Sequence, residues 1–269
     1  YMYLGIDIGG TKTLVANFDN QGSITAQTKY PTPKKYKDFL QLIKDHAAKL
    51  KLEDFKAAGV GTAGRLDRTT GSIISWSNLG WYDKPLKTDL AKIIKLPIFL
   101  ENDAKLAGLS EAVLVHKKYR KVLYVTISTG IGVSLITDGV IDQEVGDAGG
   151  RGVLLEHEGK LVDWESFGSG KALYEKYGKK ASEITDAKVW KAFAKDTALG
   201  LDQFIGFTEP DVVIIGGGVG AHFEKFQSYL EEELSKISSP MVPTPPLLKA
   251  QRPEEAVIYG CYEYIKQHS

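Results

Sequence analysis

One cysteine, Cys261, is the only thiol in the 269-residue sequence. A single thiol excludes an intrachain disulfide framework and any Cys-rich metal knuckle. Charge of one sign is not in excess either, because 34 Lys and Arg balance 34 Asp and Glu. That balance removes any global bias toward nucleic acid or a membrane surface and leaves only local basic patches open. No apolar run reaches membrane-spanning length, and no leader-like segment precedes the first β-prone run. The expectation is a soluble, cytoplasmic protein whose length suits one large or two medium domains with ample core.

What is present is glycine at turns between β-prone runs. Leu4-Gly5-Ile6-Asp7-Ile8 leads into Gly9-Gly10-Thr11-Lys12-Thr13, and Leu14 to Phe18 resume the β pattern. This reads as a hairpin with a glycine tip and an Asp at the end of its first strand. Consecutive amides at such a tip form a concave nest for phosphate, and Asp7 would then face a divalent cation bridging phosphate oxygens. An ordinary Gly turn with a solvated Asp fits the same residues. A second hairpin, Val125 to Leu135, carries Ser128-Thr129-Gly130 at its tip and is followed by an Asp138-Gly139 turn. A third glycine turn, Gly216-Gly217-Gly218, follows the apolar run Val212 to Ile215. Two similar hairpins more than a hundred residues apart suggest a duplicated fold with a nucleotide between the halves.

This arrangement resembles the sugar kinase/actin/Hsp70 superfamily of ATP-binding folds and, within it, is most similar to the ROK family (repressors, open reading frames, sugar kinases), glucokinase-like branch. The resemblance covers nearly the whole chain. It implies an α/β, two-lobed actin-like ATPase (ribonuclease H-like) fold with duplicated β-hairpin/α units. The implied lobes are residues 1–112, with the terminal helix 254–269 returning to them, and a larger lobe of residues 113–253. The implied activity is transfer of the γ-phosphate of ATP to a hexose hydroxyl with Mg²⁺ present. Asp7, Gly9, Gly10, Thr11 and Lys12 would serve the phosphates, Asp7 facing the Mg²⁺ through water. Lys12 reads equally well as an exposed hairpin lysine. Thr129, Gly130 and Gly132 would supply the second hairpin, and Gly216, Gly217 and Gly218 would lie near the adenosine or α-phosphate.

Along the chain, Lys34 to Leu52 has the apolar spacing of an amphipathic helix and Ala57 to Gly61 that of a short strand, a succession that argues for α/β architecture. Gly71 to Trp76 reads as another strand. Asn78 and Trp81 in the Ser77–Trp81 loop suit sugar binding or simple packing. Family members carry a similar Asn-Leu-Gly-Trp segment near the sugar, after a small-residue turn matched here by Ala63-Gly64. Pro97 to Leu100 is a predicted strand, and Glu101-Asn102-Asp103-Ala104 leads into a helix over about 104–115. Asn102 or Asp103 there fits an N-cap. A carboxylate at a helix N-terminus also stays ionised, which suits a base. The resemblance makes Asp103 the catalytic base and places Gly64, Asn78, Asn102, Asp103 and Glu165 at the sugar.

One segment departs from the family. Where ROK kinases carry Ala-Gly-Glu-x-Gly-His, this chain has Ala148-Gly149-Gly150-Arg151-Gly152-Val153, so Gly150 and Val153 replace two sugar ligands. The zinc-binding Cys-rich knuckle that usually follows is missing, and no structural zinc is expected. His157 reads as an exposed loop residue. Gly168-Ser169-Gly170-Lys171 fails as a Walker A ending, because Ala172 replaces the Ser/Thr. Gly216 to Ala221 fits a dinucleotide pattern superficially and is expected to open one helix reaching about Ile237. A nicotinamide-dependent oxidoreductase would rest on that stretch alone. A catalytically impaired ROK-like sugar/ATP-binding sensor would rest on the two lost ligands. The family's repressors add an N-terminal helix-turn-helix, and none precedes the hairpin here, so DNA binding is not expected. The family's habit suggests a homodimer, and the sequence fixes no interface.

Overall fold

Strand and helix periodicities set the architecture of a computed structural model that describes residues 1–269. Two compact units form: residues 1–110 with 255–269, and residues 111–254. In the first, β1 (Met2–Ile8), β2 (Lys12–Phe18) and β3 (Ile24–Pro31) make an antiparallel meander. After α1 (Tyr36–Ala47), β4 (Phe55–Thr62) pairs parallel with β1. Strands β5 (Arg65–Asp67), β6 (Ser72–Trp76) and β7 (Trp81–Lys84) form a separate small sheet. Helix α2 (Leu86–Ile94) leads to β8 (Ile98–Asn102), parallel to β4, and α3 (Asp103–Val115) starts at the next residue. The main sheet runs in the order β3-β2-β1-β4-β8.

The second unit repeats this plan. Strands β9 (Lys121–Ile127), β10 (Ile131–Thr137) and β11 (Val140–Ile141) form the meander. A hairpin of β12 (Leu154–His157) and β13 (Lys160–Asp163) follows, then α4 (Glu165–Gly168), α5 (Gly170–Tyr177) and α6 (Ala187–Thr208). Strand β14 (Val212–Gly216) pairs parallel with β9. After α7 (Gly217–Gly220) and α8 (Gln227–Ile237), β15 (Leu247–Lys249) pairs parallel with β14. The order β11-β10-β9-β14-β15 matches that of the first sheet strand for strand. The last helix, α9 (Ala256–His268), belongs to the first unit. No helix is long and apolar enough to cross a membrane.

Several elements differ from their sequence expectation. The helix expected from Gly216 to Ile237 is broken, because Phe223 and Phe226 turn into the core, where Phe226 stacks on Trp190 at 5.5 Å and 8°. Helix α1 is shorter than Lys34 to Leu52, because the amides of Lys49 and Leu50 close tighter bonds to His46 and Ala47. Strand β15, a three-residue piece after prolines, has too little pattern to be read.

At β1 and β4, which pair in parallel, the first sheet buries both faces, while the edge strand β3 is exposed. Leu4, Ile6 and Ile8 of β1 face α1 and α2, whose Phe39 and Ile43, and Leu86, Leu90 and Ile94, supply the facing stripes. Tyr3, Leu14, Ala16 and Phe18 face α9 with Ile258, Tyr262 and Ile265. Glycine makes that second contact close. A methyl at Gly59 would lie 2.6 Å from the Cys261 carbonyl oxygen, and one at Gly61 would lie 2.5 Å from Val257 Cγ1. Gly59→Ala should therefore push α9 off the sheet. We expect a loss of about 1–3 kcal/mol, the usual range for overpacking, read as a lower thermal midpoint.

Candidate active site

Parallel pairing of β1, β4 and β8 brings three chain segments to one edge of the first sheet. Asp7 pairs with Gly61 and Gly61 with Glu101; one row further, Ile8 pairs with Thr62 and Thr62 with Asn102. The residues just beyond these strands are Gly9-Gly10, Ala63-Gly64 and Asp103. They stand at the carboxyl ends of parallel strands, where α/β sheets bind their ligands.

Local chemistry fixes each segment. The hairpin tip closes with the Gly9 amide donating to the Lys12 carbonyl at 2.9 Å, and a side chain at Gly9 would meet that same oxygen at 2.7 Å. Gly10, Thr11 and Lys12 are exposed. Gly10 lies beside Asn78, since a Cβ built on it would come within 3.9 Å of the Asn78 Cβ. Gly64 adopts φ +91°, and a methyl there would meet the Ser75 carbonyl oxygen at 2.5 Å. Its own carbonyl accepts from Asn102 Nδ2 at 3.2 Å.

Asn102 is buried and caps α3: its Oδ1 accepts from the Ala104 amide at 3.0 Å and the Lys105 amide at 3.3 Å. The capping and the Gly64 bond hold the amide in one orientation. Asp103 is the first helical residue, and its Oδ1 accepts from the Ala104 amide at 2.7 Å. The exposed Asn78 sits in the turn before β7, whereas Trp81 is buried and donates from Nε1 to the Lys34 carbonyl at 2.7 Å. Of the two uses weighed for that tryptophan, packing is the one observed.

Asp7 is the electrostatic centre of this edge. Desolvation beneath α9 and then the nearby Asp103 carboxylate push its carboxyl up to about 7, with Lys29 pulling the other way. The same helix carries Cys261, fully buried against the Ile6 carbonyl, whose thiol is pushed far up by burial and by Asp7. Two mutually repelling carboxylates fit a divalent cation. No group of three or more His, Cys, Asp or Glu side chains gathers as a metal cage, so such a cation would take its remaining ligands from phosphate oxygens and water. Two surface hollows of about 400 and 420 Å³ lie elsewhere, one at the opposite end of β1 beside Asp19 and Glu53, the other along α1.

The second unit has an equivalent edge. Gly216 pairs with Thr126, and Gly217, at φ +82°, lies against the Ile127 carbonyl, where a methyl would come within 2.5 Å. Thr129 is exposed at the hairpin tip, while Gly130, Gly132 and Gly217 are half-buried and Gly218 is open. The Glu165 carboxylate packs against Gly130. Glu165 Oε2 accepts from the Ile131 amide at 2.8 Å, and its Oε1 accepts from Arg151 Nε at 2.6 Å.

Gly150, which stands for the family's Glu, has no room for a side chain: a methyl would meet Ile131 Cβ at 2.9 Å and the Glu165 amide at 3.2 Å. Where the resemblance would place a metal knuckle, the β12–β13 hairpin folds instead. His157 on it is not the exposed loop residue expected. Its ring stacks on Phe167 at 4.0 Å and 10°, and its Nε2 pairs with Asp196 Oδ1 at 3.2 Å. The Ser169 of the rejected Walker-like stretch is the N-cap of α5.

Sequence reasoning missed Arg68 and Glu101. Arg68 Nε and Nη2 donate to the Glu101 carboxylate at 3.1 and 2.5 Å, directly beside Asn102 and Asp103. The charged Glu ahead of Asn-Asp was the available signal.

The family model for "ROK family" matches residues 3–268. An N-acetyl-D-glucosamine kinase of Haemophilus influenzae is 28% identical over 96% of this chain and 97% of its own length. A ROK family glucokinase from Streptomyces griseus, solved with glucose and AMPPNP, superimposes with a TM-score of 0.84 at 24% identity, over 99% of this chain and 100% of that one. A ROK family transcriptional regulator superimposes with a TM-score of 0.86 at 16% identity, over 99% of this chain and 78% of that one. The structural neighbours share the actin-like ATPase fold, and that fold serves kinases and regulators alike.

The raised Asp7 carboxyl predicts a pH dependence. The folded chain holds this proton more tightly than the unfolded one, whose Asp titrates near 3.8. The stabilisation is complete below that value and is lost as pH rises through about 7. Without nucleotide or divalent cation, the thermal midpoint of the wild type should fall more steeply than that of Asp7→Asn between about pH 4 and about pH 8.

Proposed function

The chain belongs to the ROK family, and from that premise we propose that it is an ATP-dependent sugar kinase. It transfers the γ-phosphate to a hexose hydroxyl, the one on C6 of glucose or a related hexose, with Asp103 as general base. The observation that carries this reading is the nearness of the Asp7 and Asp103 carboxylates at the carboxyl end of the parallel strands β1, β4 and β8, with the Gly9-Gly10 turn directly after Asp7's strand.

Phosphoryl transfer asks for positioning and charge neutralisation more than for covalent chemistry. Asp103 orients the acceptor hydroxyl and takes its proton. Its place at the start of α3, with the Ala104 amide on Oδ1, fixes the direction in which the carboxylate points. Asn102 and Gly64 shape the adjoining turn, and Asn78 offers an exposed amide beside Gly10. The amides at Gly9 to Lys12, around Thr129 to Gly132 and at Gly216 to Gly218 are the phosphate and nucleotide donors. Mg²⁺, when bound, would neutralise the phosphate oxygens near Asp7, with water between metal and carboxylate.

A second reading has its own support. Gly150 and Val153 lack the family's sugar-binding groups, and both Glu165 oxygens are engaged by Ile131 and Arg151. A sugar- and ATP-binding sensor would need no turnover, and the regulator fold accommodates it.

The test is ADP release with ATP and Mg²⁺ across glucose, mannose, fructose, N-acetylglucosamine and N-acetylmannosamine. We expect turnover with one of them, reduced roughly 10²- to 10⁴-fold in Asp103→Asn, the usual weight of a general base. ATP binding without sugar-dependent turnover would favour the sensor instead, and NAD binding without ATP binding would reopen the oxidoreductase.

A further inference from the structure

Glu101 is completely buried, and it ends β8 together with Asn102, immediately before the base proposed above. Its carboxylate does two things at once. It receives the Arg68 guanidinium through Nε and Nη2, at 3.1 and 2.5 Å, and it accepts the Asn102 amide on Oε1 at 2.6 Å. Arg68 comes from the turn after β5, 33 residues away in the chain. Planar, two-pronged recognition of a carboxylate fixes direction as well as distance.

We infer that Arg68 and Glu101 form a positioning pair that holds the Asn102–Asp103 turn in register with the sheet edge, and so aims the Asp103 carboxylate at the acceptor hydroxyl. The inference rests on the kinase reading for the role of Asp103. The ion pair and the Asn102 bond stand independently of that reading. Neither Arg68 nor Glu101 touches the reacting atoms. They act through the backbone at Asn102, whose side chain in turn caps α3 and grips Gly64.

The same pair joins three pieces of the first unit. Arg68 belongs to the connection between β5 and β6, Glu101 to the main sheet, and the Tyr264 phenol of α9 is near enough to feel the charge of both. Burial and then the Glu101 carboxylate push the Tyr264 phenol up to about 12, while Arg68 opposes that rise. A buried carboxylate held this way has two settled alternatives only, paired or displaced, because an unpaired charge in that position is costly. Displacement would drag the Asn102 amide, and with it the first turn of α3. Errors of about 1 Å at a reacting group are enough to cost a factor near 10² in rate.

The experiment compares the full-length wild type with Arg68→Ala, Arg68→Lys, Glu101→Gln and the double variant Arg68→Ala/Glu101→Gln. The double variant removes both charges of the pair together, and its folding is checked by its thermal midpoint, so the test does not depend on Arg68→Ala alone. ADP release gives kcat and both KM values, nucleotide titration gives ATP affinity, and amide exchange is followed peptide by peptide. We expect kcat to fall roughly 10²-fold in the double variant with ATP affinity kept. Exchange should quicken in the segment around 98–106 and stay unchanged over β1 and β2. The Arg68 side chain is 31% exposed, so added guanidinium should partly restore kcat in Arg68→Ala and leave Glu101→Gln unchanged. Arg68→Lys, which keeps the charge without the fork, should remain impaired.

Unchanged kcat and unchanged exchange in the folded double variant would overturn the pair's role. So would a loss of activity that runs parallel to lost ATP binding and faster exchange across the whole unit, the mark of a merely structural bridge. A wild type that turns over no sugar would overturn the kinase reading instead. The exchange arm would then decide the pair alone: faster exchange confined to 98–106 sustains it, and no change ends it.

Discussion

Two carboxylates crowd one edge of a parallel sheet, and much of the first unit is arranged around that repulsion. Asp7 cannot relax away from Asp103, because β1 and β8 are locked in register through β4, with Gly61 opposite both Asp7 and Glu101. Its carboxyl is only half-exposed, and Cys261 of α9 lies on the same side, close enough to feel its charge. Burial first and the Asp103 charge second push the Asp7 carboxyl up to about 7, so that a proton settles the conflict. A cation carried in by a polyphosphate would settle it differently, by replacing the proton with charge. The edge is thus built to prefer a ligand that brings positive charge and negative oxygens together.

That preference depends on glycine far from the hairpin tip. Gly59 and Gly61 let α9 approach β4 until Cys261 and Val257 sit where side chains would otherwise stand. The close approach limits the water that reaches the half-buried Asp7. Phosphate-binding glycines are read easily from sequence, but these two act on the site through packing, by setting the dielectric around a carboxylate rather than by donating an amide. The link runs from strand composition to helix distance to the protonation state of one residue.

Much of this was legible in the sequence wherever the signal was local. The two hairpins, the Asn-Asp pair at a strand-to-helix junction and the amphipathic stripes of α1 and α9 all lie within short windows, and the duplicated strand order follows from the hairpins. What escaped was set by distant partners. Nothing within ten residues of Arg68 announces that its guanidinium will pair with Glu101, and nothing in Gly216 to Ile237 announces a break. That break exists because Phe226 packs on Trp190 and Phe193 of another helix, with Phe223 edge-on to Phe226. His157 looked exposed for the same reason, its partners Phe167 and Asp196 being supplied by later elements.

The departure from the family at Gly150 and Val153 is also a packing fact rather than a simple loss. A glutamate could not be restored at 150 without moving Ile131 and the backbone of Glu165. Arg151, one residue on, reaches the carboxylate that remains, and its guanidinium is more than half exposed. Glu165 is therefore partly neutralised and held against the second hairpin, so it contributes structure to that turn even if it also meets a sugar.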